Sequence, residues 1–107
     1  MNTTKNYTEF TRKTAIYPKE DAVSYLVLGL TSEAGEVAGK LKKAIRDSHT
    51  EEVRNKNLLD ETADVLWYVT RLMDELGYTL EDLMEYNTQK LSSRLERGVI
   101  KGSGDHR

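Results

Sequence analysis

A single proline, Pro18, interrupts this chain, and none follows it. Proline ends or kinks a helix by removing a backbone donor and clashing with the turn before it, so the sequence beyond Pro18 is open to long helices. The apolar residues are spaced for them. Val23, Leu26, Val27, Leu30, Ala34, Val37, Leu41 and Ala44 recur at three- and four-residue steps, the period of one helix face. Asp21 stands where an N-cap belongs, and the stripe stops near Arg46.

Ahead of Pro18, the spacing of Tyr7, Phe10 and Thr14 predicts a short first helix. After Arg46, DSHTEEVRNKN is polar and aperiodic and reads as a loop. A third helix is expected from about Leu58 to Leu76, on the stripe Leu58, Val65, Val69, Leu72 and Leu76, with Gly77 at its C′ position. Thr79 and Asp82 have the spacing of a capping box and open a fourth helix that turns Leu80, Leu83, Met84, Leu91 and Leu95 inward. No segment alternates as a strand does. The expectation is all-α: one helical bundle over residues 1–98, followed by a polar, glycine-rich tail over 99–107.

Bulk properties narrow the function. At 107 residues the chain is one domain, and a protomer this small gains by self-association, so a dimer or tetramer is expected. Eighteen acidic against 16 basic residues give a net charge of −2, with no general pull toward nucleic acid or an anionic membrane. Without cysteine there is no disulfide, thiolate metal site or cysteine nucleophile. No apolar run is long enough to span a membrane, and MNTTKNYTEF lacks the apolar core of a signal peptide, so a cytoplasmic protein is expected.

The charges on the helices are placed unusually. Glu33, Glu36, Lys40 and Lys43 form a ribbon roughly 110° from the apolar centre of the long helix, on the shoulder of the core. Glu61, Asp64 and Tyr68 repeat this on the third helix, and Asn87, Lys90 and Arg94 on the fourth. If the second and third helices pack antiparallel, four carboxylates converge at one seam. Two such charges 5 Å apart repel by about 3 kcal/mol at an effective dielectric of 20, so protons or a cation must relieve the cluster. Carboxylate-only ligands select a hard ion, Mg²⁺ or Mn²⁺, and a water held by such an ion is a nucleophile. The plainer alternative is a solvated helix face with i, i+4 pairs such as Glu36 and Lys40.

Glu33-x-x-Glu36 followed by Glu61-x-x-Asp64 resembles the signature of the MazG-like all-α nucleoside triphosphate pyrophosphohydrolases. The segments LGLTSEAGEVAGKLKKAIRD, DETADVLWYV and LGYTLEDLMEYNTQKLSSR are similar to those of its members, over nearly the whole chain. The resemblance implies Mg²⁺-dependent cleavage of a (d)NTP to the monophosphate and pyrophosphate. Glu33, Glu36, Glu61 and Asp64 would then ligate metal and activate water. Lys40, Lys43, Asn87, Lys90 and Arg94 would meet phosphate or sugar, with Arg107 a further phosphate candidate, and Tyr68 would stack a base. Two other readings stay open. One is a phosphoribosyl-ATP pyrophosphohydrolase, although that family usually follows its second acidic pair with Tyr-His and here Val69 follows Tyr68. The other is a non-catalytic helical interaction module. A di-iron bundle is disfavoured because Glu-x-x-His occurs nowhere.

Four further positions carry expectations. Trp67 lies nearly opposite its helix's apolar centre and is expected at a subunit contact. Ser32, Gly35 and Gly39 form a narrow helix side suited to close approach of another helix. Gly29, one turn before Glu33, leaves room for substrate. His49 and His106 have no partner at ligand spacing.

Overall fold

The computed structural model describes residues 2–107 and contains helices, turns and no strand among them. Helix α1 (Thr4–Lys13) leads through a 3₁₀ turn (Lys19–Asp21) into α2 (Ala22–Arg46), then α3 (Glu51–Glu75) and α4 (Leu80–Glu96). Helices α2 and α3 have 25 residues each, and the four-residue link between them, 47–50, makes them antiparallel neighbours. Helix α4 packs on α1 and α3, and its backbone does not approach that of α2.

Helix α3 begins at Glu51, well before the Leu58 expected from periodicity. The reason is capping: Thr50 Oγ1 accepts from the Val53 amide at 3.2 Å, and Glu51 and Glu52 complement the positive end of the helix. An exposed first turn needs no apolar stripe, so the stripe could not reveal it. At the other end the Gly77 stop is present, with φ +84° and the Tyr78 amide donating to the Met73 carbonyl. The Thr79–Asp82 capping box is also formed, with bonds of 3.0 and 2.9 Å. Asp21 caps α2 without any side-chain hydrogen bond.

The core is small. Leu26 is fully enclosed, with Tyr17 and Ala22 buried around it and Ala15, Trp67, Tyr68 and Leu72 packed against them. In α1 the buried residue is Thr11, whereas Phe10 is exposed. Of the α4 residues expected to face inward, Leu80 and Leu83 are partly covered, but Met84, Leu91 and Leu95 face solvent. Helix α4 packs only sparsely on α1 and α3, so most of its apolar stripe stays uncovered.

A polar network does what the small core cannot. The buried Arg71 donates from Nε and Nη2 to Tyr17 Oη at 3.2 and 3.1 Å, and from Nη1 to Asp74 at 2.6 Å. Arg12 grips the same carboxylate through two bonds of 2.9 and 2.8 Å, tying α1 to α3. The Arg12 hydrogen bond pulls the Asp74 carboxyl down to about 2 against the opposing effect of burial, and Arg71 adds to the pull. A lowered carboxyl stabilises the fold above its unfolded value and ceases to do so as pH falls through about 2.

The two long helices approach closely at Gly29. A Cβ built there would fall on the Tyr68 ring, whereas one at Gly35 or Gly39 would meet nothing within 4 Å. The space expected to receive substrate at Gly29 is therefore filled by Tyr68, and the Gly35–Gly39 side is uncovered within the protomer. Gly29→Ala gains up to about 1 kcal/mol of helix propensity but must displace a seated ring. A net loss of about 1–3 kcal/mol is expected in urea unfolding, while Gly35→Ala should be neutral or stabilising. A Gly29→Ala protein as stable as wild type would mean the ring is not wedged there.

Candidate active site

The antiparallel pairing sets the first acidic ribbon against the second. Carboxylate oxygens of Glu33, Glu61 and Asp64 lie within 4.8 Å of one another. Glu36, one turn along α2, is exposed and outside this trio, although its charge acts on Glu33. Lys40 Nζ lies 3.8 Å from Glu61 and is the cation at the seam. Lys43 is exposed toward the end of α2, where it acts on Asp47. Asn87 is exposed on α4, and Lys90 and Arg94 pair with Asp105 of the tail, so the α4 ribbon does not meet the seam of its own protomer.

Crowding has an electrostatic cost. Burial raises the Glu33 carboxyl above its ordinary value. A hydrogen bond with Glu61 and the charges of Asp64, Glu61 and Glu36 push it the same way. The donor set suits a hard divalent cation: three carboxylates at a spacing one ion can bridge, with no sulfur or imidazole among them.

Beside the acids lies an open hollow of about 330 Å³ lined by Thr14, Glu33, Asp64, Trp67 and Tyr68. Its walls are aromatic. Trp67 and Tyr68 meet edge to face at 5.0 Å, Tyr17 meets Trp67 in the same way at 6.4 Å, and Tyr25 stacks on Tyr17 at 5.5 Å. Trp67 Nε1 donates to Thr14 Oγ1 at 2.7 Å, which fixes the indole plane. Burial raises the Tyr68 hydroxyl, with Tyr25 contributing and the nearby carboxylates adding to it. Burial raises Tyr7 as well, followed by the charge of Asp64, so α1 also reaches the site.

The premise of the Trp67 expectation, an indole left bare by its helix, does not hold. The indole is half-buried against the segment between α1 and α2, which folds over the face that periodicity left open. Thr14 and Tyr25 join the site through contacts as distant as 53 residues along the chain, and no local pattern announces them. A larger groove of about 780 Å³ at the α3–α4 elbow is lined by Met73, Tyr78, Leu83 and Tyr86 together with Asp82, Glu85 and Gln89, and includes none of the three clustered carboxylates.

Fold and seam together define an all-α domain built round a carboxylate cluster between two long helices. The MazG nucleotide pyrophosphohydrolase domain matches residues 22–99, and the chain belongs to that family. It is 45% identical over 103 residues to the Gene 37 protein of Mycobacterium phage L5, covering 88% of this chain and 90% of that protein. No solved structure matches it. Among the described residues no helix is long and apolar enough to cross a membrane.

The raised Glu33 carboxyl predicts how a cation acts on stability. Such a shift stabilises the fold below the ordinary value of 4.5 and is lost as pH rises through the raised one, so acid repulsion weighs most near neutrality. Mg²⁺ or Mn²⁺ should raise Tm at about pH 7.5 and progressively less toward about pH 4.5. Thermal scans across that range test it, and a rise that does not depend on pH would place the ion elsewhere.

Proposed function

We propose that the chain is a Mg²⁺-dependent nucleoside triphosphate pyrophosphohydrolase that cleaves (d)NTP to the monophosphate and pyrophosphate. The observation that carries this reading is the carboxylate trio beside an aromatic hollow, in a chain of this family. Glu33, Glu61 and Asp64 hold the cation, with Mn²⁺ as a substitute. That ion supplies charge neutralisation at the phosphates and acidifies water. Glu36, outside the trio and exposed, accepts the proton of the attacking water. Tyr68 and Trp67 flank the base, and Thr14 keeps the indole aligned. Lys40 and Lys43 continue the acidic ribbon with positive charge suited to phosphate oxygens.

The working unit in this reading is a dimer or tetramer. The radius of gyration is 16.7 Å, against about 13 Å for a compact chain of this length. The accessible surface is 7949 Å², roughly 1,900 Å² above that of a compact monomer of this mass. For one protomer that excess is more than twice the roughly 800 Å² each partner buries in a standard interface, the scale of a large obligate one. Leu28, Ile45, Leu59 and Leu95 lie bare on it, each more than 60% exposed. In such an assembly Asn87, Lys90 and Arg94 serve the seam of a neighbouring copy, since they do not reach their own.

A panel of (d)NTPs with Mg²⁺, assayed for pyrophosphate and orthophosphate separately, tests the activity. Pyrophosphate release is expected, and Glu36→Gln should lower kcat by about 10²-fold or more with helicity unchanged. Orthophosphate alone, or no turnover by folded protein, would sink the proposal. Sedimentation should give two or four times the protomer mass. A monomer at micromolar concentration would overturn the assembly.

A further inference from the structure

The tail after α4 is a built structure. Arg107 donates to three main-chain carbonyls, from Nε to Val99 at 2.9 Å, from Nη1 to Gly104 at 2.7 Å and from Nη2 to Ile100 at 2.9 Å. Arg97 Nη2 donates to a main-chain oxygen of Arg107 at 2.7 Å, which closes the loop onto α4. Gly104 sits at φ +84°, and a Cβ at Gly102 would strike the Arg107 side chain. One guanidinium thus holds the whole segment in a compact loop.

The position of that loop matters more than its shape. Arg94, 95% buried, donates from Nη2 to the Asp105 carbonyl at 2.7 Å, and the Asp105 carboxylate lies 3.7 Å from the same nitrogen. Lys90 Nζ lies 3.9 Å from that carboxylate. Asp105 therefore offers a carboxylate to the two α4 cations that a phosphate oxygen would need. Its side chain is 81% exposed and its ionic contacts are long, so this occupant is held loosely.

We propose that the tail is an internal competitor for the phosphate groups of substrate and product, with Asp105 standing in for a phosphate oxygen between Lys90 and Arg94. This rests on the reading that the α4 ribbon serves substrate phosphate. Phosphate binding displaces Asp105 and loosens the loop, and release of pyrophosphate lets it return. The tail sets how tightly phosphate is held and leaves the acidic seam untouched.

The test uses inorganic pyrophosphate as the probe, without divalent metal, so that it does not depend on turnover. Asp105→Asn should tighten pyrophosphate binding about two- to fivefold, the scale of an exposed ion pair, and Lys90→Gln in that background should remove the gain. In the wild-type protein, the amide resonances of Gly102 and Gly104 should shift and sharpen as pyrophosphate saturates. With a turned-over (d)NTP, Asp105→Asn should lower KM by a similar factor at nearly constant kcat. Unchanged or weaker pyrophosphate binding in Asp105→Asn, or tail resonances indifferent to pyrophosphate, overturns the proposal. If no (d)NTP is turned over while the pyrophosphate results hold, the tail proposal stands and the catalytic reading falls.

Discussion

Like charges held within 4.8 Å of one another across a helix seam do not assemble unless other contacts force the helices together. Here the forcing contacts are Leu26 in its small core and the Tyr68 ring against bare Gly29 backbone. They set the spacing of α2 and α3, and the acids accept the consequence as a raised Glu33 carboxyl and a lysine drawn to Glu61. Acidic residues that destabilise the protomer are where a divalent cation would stabilise it most. The trio and the wedge at Gly29 are thus one arrangement seen from two sides.

The aromatic hollow depends on a different set of contacts. Arg71, buried in α3, reaches Tyr17 and Asp74, and Asp74 is shared with Arg12. This network lashes α1 and the segment after it across α3, and so delivers Thr14 to Trp67 and Tyr17 to Tyr25. A buried guanidinium with most of its donors engaged avoids the penalty of an unpaired buried charge. It also fixes the wall of the site more firmly than so few apolar residues could.

Helix α4 stands apart. It leaves Met84, Leu91 and Leu95 in solvent and carries its cations away from the acidic seam of its own chain. The tail returns to it, enclosing Arg94 and setting Asp105 beside Lys90. With so little support from the other helices, α4 has its own tail as a principal neighbour.

The helical class, the Gly77 stop, the Thr79 cap and the two acidic ribbons were all legible from residue spacing, because each depends on neighbours three or four positions away. The family was legible for the same reason, since its motifs are local words. The start of α3 was missed because a capped, exposed turn has no apolar period. Gly29 was misjudged because a ring on the facing helix fills its space, and Trp67 was read as bare because its cover comes from a residue 53 positions distant. Glu36 shows the limit most clearly. Spacing puts it on the same ribbon as Glu33, yet only packing leaves it outside the cluster, since periodicity gives a bearing on a helix and the approach of two helices gives a distance.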